Sequence, residues 1–245
     1  MCDILYVLGS KSKWDNNELR YSLRSIEKFG KNVGNIYVVG YDPGFLSDKV
    51  TIIPHEDLYI RKHKNILENI KYAVEHSNIG ENFLLSSDDH FYVKETDFDN
   101  YPYFCRGELP NTVKANVKNK GYIGSLVDTR KLLERNGYTY YNFSQHGNTH
   151  LTREGIKEAD RLICSSYTTK FGCEPTCLIL NVAYSQHPFS ITDREDLKVG
   201  NIANKDELIK LIGDREVFSI YDNSIECGVA EYLQELFPNK SIYEK

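Results

Sequence analysis

The sequence predicts a single α/β domain built on a mostly parallel sheet flanked by helices, and three observations carry that expectation. The chain opens strand, helix, strand. Its strands are continuously apolar, as strands covered on both faces are, rather than alternating. Its 245 residues suffice for one sizeable core, so one domain over residues 1–245 is expected.

Each element follows from local pattern. Residues 3–8 form a short apolar strand, ended by the polar loop Gly9-Ser10-Lys11-Ser12-Lys13. Leu19, Leu23, Ile26 and Phe29 recur at helical spacing, with Gly30 where a helix stops. Residues 35–39 and 50–53 read as the second and third strands, punctuated by Gly40 and Pro54. A helix over 63–76 buries Ile66, Ile70, Ala73 and Val74, and a fourth strand begins at Phe83. Residues 98–119, rich in Tyr, Pro, Asn and Lys, suit an active-site or acceptor loop. Further helices are expected at 122–135, 152–162, 205–212 and 224–236.

Composition narrows the function classes. Hydrophobic residues at 40% and charged residues at 27% are ordinary for a globular protein, and the mean hydropathy is -0.49. No apolar run approaches the roughly 18 residues of a membrane span, and the N-terminus lacks a signal-peptide pattern, so a cytoplasmic protein without membrane insertion is expected. A formal charge of -5 does not announce a nucleic-acid binder. The six cysteines show no framework spacing and read as thiols; Cys164, Cys173 and Cys177 offer an irregular, incomplete zinc pattern.

The chemistry concentrates where the fourth strand ends. Phe83-Leu84-Leu85-Ser86 runs into Ser87-Asp88-Asp89-His90, two adjacent carboxylates and an imidazole. Adjacent carboxylates repel, and desolvation adds to the cost of their charge, so a facing cation or donor cluster is expected. This predicts a divalent-metal site; an exposed capping turn is the alternative. Gly9 and Ser10 lie where a nucleotide binds βαβ folds, although neither a dinucleotide fingerprint nor a phosphate loop is present. Arg61-Lys62-His63-Lys64 opens a helix and predicts a diphosphate clamp, each charge-assisted bond contributing about 1.5–3 kcal/mol. His146 is a candidate metal ligand or proton acceptor. Asp222 is either a base or, the preferred reading, the cap of the last helix.

Taken in order, residues 3–7, 17–26 and 35–39, then His55-Glu56-Asp57, Ser87-Asp88-Asp89-His90-Phe91, His146 and residues 237–244 resemble one family. It is that of the Stealth-type sugar-phosphate transferases and the short glycosyltransferase-like proteins of bacteria and their viruses. The resemblance implies a GT-A-like, Rossmann-like domain, a nucleotide-sugar donor such as a UDP-sugar, and Mn²⁺ or Mg²⁺. It sets Ser87-Asp88-Asp89 at the Asp-x-Asp position, with Ser87 replacing the first acid. Asp89 is then the expected metal ligand, helped by Asp88 and His146, while Asp88 also turns toward the ribose or a bound water.

On this basis the chain is expected to be a metal-dependent glycosyltransferase. Arg61 and Lys64 would stabilise the departing nucleotide, Gly9, Ser10 and Arg20 would position it, and residues 101–120 would shape the acceptor side. The chain is shorter than most of that family, which favours glycosyl over sugar-phosphate transfer. A sugar-1-phosphate transferase and an idle nucleotide-sugar binding module are the alternatives. The acceptor is open between a glycan, a small molecule and a modified DNA base, for which Lys114, Lys118, Lys120 and Arg130 would form the basic strip.

Overall fold

A computed structural model describes residues 1–114, 119–166, 171–193 and 197–245. The chain runs through β1 (Cys2–Leu8), α1 (Asn17–Phe29), β2 (Gly30–Lys31), β3 (Val33–Gly40), β4 (Val50–Pro54), α2 (Lys62–His76) and β5 (Asn82–Ser86). It continues with β6 (His90–Tyr92), β7 (Thr96–Asp97), β8 (Tyr103–Cys105), α3 (Lys120–Arg135), β9 (Thr149–Thr152), α4 (Arg153–Ser166) and α5 (Pro175–Gln186). The last stretch holds β10 (Ile191–Asp193), β11 (Lys198–Val199), α6 (Lys205–Ile212) and β12 (Val217–Ile220). A 3-10 turn (Asp222–Ser224), a π-turn (Ile225–Val229) and α7 (Ala230–Leu236) follow.

The main sheet has the order β4-β3-β1-β5-β9. Its first four strands are parallel, as the apolar βαβ opening predicts, and β9 closes the edge antiparallel, with Leu85 facing Thr149. Alternate residues feed two cores. Leu5, Phe83, Leu85 and Leu151 pack with Ile70, Ala73, Ile156 and Leu178 from α2, α4 and α5. Ile4, Tyr6, Val38 and Leu84 meet Leu19, Leu23 and Ile26 of α1 on the other face. Each such side chain contributes roughly 1.5–3 kcal/mol on burial, so the two-sided pattern fixes the layer order.

A smaller sheet, β11-β12-β6, extends the site end of the molecule. Phe91, Phe218, Leu208, Ile212, Val229 and Leu233 form its core, with Tyr21 of α1 packed in. Ser219 faces His90 across β12 and β6, and Lys198 faces Ser219 across β11 and β12. This register brings β11 next to the turn after β5.

Four elements differ from the sequence expectation. Within 98–119, Tyr103–Cys105 is a strand paired with β10, because its side chains seat against His150 and Phe189. The expected helix at 152–162 starts only after β9 has ended at Thr152. Helix α5 has no counterpart in the expectation: it is apolar nearly all round, so no one-sided stripe marks it, and it packs against α4, β9 and α3. The expected last helix is broken at Gly228, whose φ of +99° and a would-be Cβ only 2.4 Å from the Lys205 backbone N leave no room for a side chain. No helix among the described residues is long and apolar enough to cross a membrane.

Candidate active site

Parallel strands β1, β3, β4 and β5 release their loops at one end of the main sheet, and β9, running the other way, receives its loop there. This single reversal carries residues 146–148 to the end where β5 leaves. Gly40 closes β3 at the same end with φ +109°, and a Cβ there would sit 2.3 Å from the Leu8 carbonyl oxygen. The β1 and β3 loops therefore leave in near contact.

After β5 the chain turns tightly. The Ser87 N–H donates to His90 Nδ1 at 3.3 Å, the His90 N–H donates to the Ser87 carbonyl at 3.2 Å, and Ser87 Oγ donates to Asp88 Oδ1 at 3.3 Å. The other ring nitrogen, Nε2, lies 3.8 Å from Asp89 Oδ1. Lys198 Nζ donates to the other Asp89 oxygen at 3.0 Å and lies 4.8 Å from the Tyr221 ring centroid.

The two neighbouring acids therefore titrate in opposite directions. Burial, then the charges of Asp89 and Glu18, push Asp88 up to about 7, against the pull of Lys62 and the Ser87 hydroxyl. Burial opposes the charge of Asp89 as well, but His90 and Lys198 outweigh it and hold that carboxyl down at about 2. Glu18, in the first turn of α1, is also raised, by burial first and then by Asp222 and Asp89, although Ser12 Oγ donates to it at 2.9 Å. Ser12 Oγ in turn accepts from the Trp14 and Asn16 N–H groups, and the Trp14 ring stacks on Tyr21 at 5.4 Å. One end of the sheet thus sets Glu18 within electrostatic reach of Asp88, Asp89 and Asp222, with Lys62 beside Asp88 and Lys198 beside Asp89.

The other expected site residues are placed as follows. Gly9 and Ser10 are exposed at the carboxyl end of β1. Arg20 has its guanidinium 3.0 Å from the buried Glu244 carboxylate and 3.7 Å from the Phe45 ring centroid, on the tail side of α1. Arg61 and Lys64 stand at the start of α2, over the rings of Phe171 and Tyr59 at 5.9 and 4.1 Å. His146 is half-buried in the loop entering β9, and its neighbour Asn148 is fully buried with both side-chain polar atoms lacking a hydrogen-bond partner. Asp222 does not cap the last helix: it begins the 3-10 turn, makes no capping bond, and meets Lys13 at 3.2 Å. Within the basic strip, Arg130 is held by Glu134 and Glu108, while residues 115–118, including Lys118, lie outside the described residues.

Among the described residues no three His, Cys, Asp or Glu side chains stand together as a ready-made ion site, and this includes Cys173 and Cys177, whose thiols burial pushes up. The donor chemistry at Asp88 fits a hard dication all the same. Mg²⁺ is commonly held by one or two carboxylates, with substrate phosphates and water completing its shell. Asp88 offers such a carboxylate, crowded by other acids, and a cation would relieve that repulsion.

No protein-family model matches the chain. Among curated proteins it is similar to the N-acetylglucosamine-1-phosphotransferase subunits alpha/beta of Homo sapiens, 32% identical over 104 residues, which is 38% of this chain and 8% of that protein. The Mus musculus counterpart is 31% identical over 105 residues, again 38% and 8% of the two lengths. The similarity therefore spans a small part of these relatives, and it is to a sugar-phosphate transferase that this α/β chain is partly alike.

Proposed function

We propose that the protein is a transferase that takes a nucleotide-diphosphate sugar, such as a UDP-sugar, as donor and an acceptor hydroxyl as nucleophile. The observation that supports it most is the split pair Asp88 and Asp89 at the carboxyl end of a parallel strand, where nucleotides bind α/β sheets. Two acids driven apart in this way take different roles.

In this reading Asp88, with Asp89 beside it, holds Mn²⁺ or Mg²⁺, which when bound neutralises charge on the diphosphate. Lys198 keeps Asp89 ionised and fixed in place. Arg61, Lys62 and Lys64, at the start of α2, bind phosphate oxygens with help from the helix N-terminus. Gly9 and Ser10 accept the nucleoside, and His146 takes the proton from the acceptor hydroxyl.

The relatives' printed activity favours attack at phosphorus as a second reading beside glycosyl transfer. There the acceptor oxygen bonds to the phosphorus bearing the sugar, the bridging P–O bond breaks, and UMP departs. Attack at the anomeric carbon breaks the sugar C–O bond instead and releases UDP. Incubation with a UDP-sugar and Mn²⁺, followed by nucleotide chromatography, separates the two. Asp88→Asn and Asp89→Ala are each expected to lower turnover at least 100-fold with melting retained. Full activity of both at saturating donor would refute the assignment.

A further inference from the structure

The loop between β4 and α2 presents, next to the cations assigned above to phosphate, an apolar run that the transfer reaction leaves unused. Leu58, Tyr59 and Ile60 are consecutive and 64, 37 and 105% exposed, at the same end of the sheet as the acids. Solvent-facing large apolar side chains normally occur singly, so two aliphatic residues flanking a tyrosine mark a candidate interaction site. The display is also held in place. Buried Asn65 accepts the Tyr59 N–H at 2.7 Å and donates to the Tyr59 carbonyl at 2.6 Å, which pins the loop backbone while its side chains face outward.

Charge on this surface is segregated. Glu56 and Asp57 lie on the β4 side, where Asn69 donates to Asp57 at 3.4 Å. Past the apolar run come Arg61, Lys62 and Lys64, and Lys120 opens α3 nearby, since the rings of His63 and Tyr122 are 6.0 Å apart. Among the described residues Arg61, Lys64 and Lys120 have no carboxylate ion-pair partner, while Lys62 faces Asp88. Elsewhere Arg20, Arg24, Lys71, Lys198 and Lys205 are all neutralised by acids. On a chain of net charge -5, Arg61, Lys64 and Lys120 thus stand beside the exposed apolar run without a neutralising acid.

Nucleic acid would use the cations but would gain nothing from Leu58 and Ile60, which neither stack on bases nor hydrogen-bond. An anionic lipid surface uses both: its headgroups attract lysine and arginine, and leucine and isoleucine sink to the acyl boundary with tyrosine at the interface. We propose that the protein docks peripherally on anionic membrane surfaces through residues 58–64 and Lys120, with the carboxyl end of its sheet facing the lipid.

Co-sedimentation with vesicles, without nucleotide, tests this independently of any transfer activity. The protein is expected to bind vesicles of phosphatidylglycerol and phosphatidylcholine, to bind phosphatidylcholine alone at least tenfold more weakly, and to be released by high salt. Leu58→Ser/Ile60→Ser, two solvent-facing changes that should leave melting unchanged, is expected to weaken binding at least tenfold. Lys120→Glu, as a second variant, should weaken it severalfold. The proposal is overturned if wild type fails to sediment with anionic vesicles, if both variants bind as wild type does, or if the protein binds a single-stranded oligonucleotide and not the vesicles.

Discussion

At the level of single residues, the Glu244 carboxylate is held by several donors at once. Its side chain is fully buried, and burial opposes its ionisation, but bonds from Arg24, the Ser241 backbone and Arg20 hold it down at about 2. A carboxyl lowered from its unfolded value near 4.5 contributes stability above that value, and the contribution is lost as pH falls from about 4.5 to 2. Glu244→Gln is therefore expected to cost about 3 kcal/mol in urea denaturation at pH 7. The gap from wild type should close across that acidic window; a gap that stays constant to pH 3 would refute the account. The same contact shows where sequence reading stops. Asp88 and Asp89 are legible because two carboxylates break an apolar strand, whereas Arg20 reads equally as a nucleotide contact until the fold brings Glu244, 224 residues later, onto it. Lys198 was illegible for the same reason: it lies 109 residues from Asp89 and reaches it through a two-strand register that no local pattern encodes.

At the level of elements, strands β1 and β3 meet so closely at their ends that the backbone itself sets a limit. Gly40→Ala would place a methyl 2.3 Å from the Leu8 carbonyl oxygen in a left-handed conformation. A loss of about 2–4 kcal/mol is expected, from strain added to overpacking. Thermal unfolding checks this, and an unchanged melting temperature would show that the loops part easily. The parallel strands and α1 were legible in the sequence because period and burial agree: Leu19, Leu23 and Ile26 do face Ile4, Tyr6 and Leu84. Helix α5 and strand β9 were not. An element apolar nearly all round has no polar face to give its period away, and a four-residue edge strand is too short to show one, so only its last residue, Thr152, reads as part of the following helix.

For the molecule as a whole, donor binding should register as global stability. A ligand at 100 times its Kd adds about 2.7 kcal/mol, which for a chain of this size is roughly 5–10 °C in Tm. A UDP-sugar with Mn²⁺ is expected to give a larger rise than either alone, measured by calorimetry; no rise at millimolar donor would remove the nucleotide-sugar reading. The loop between β1 and α1 supplies a more local readout. Trp14 is the chain's one tryptophan, and its backbone shares the Ser12 hydroxyl that also braces Glu18. Indole fluorescence from this protein consequently reports on one loop beside the acids, so stopped-flow emission can time donor arrival without any attached dye.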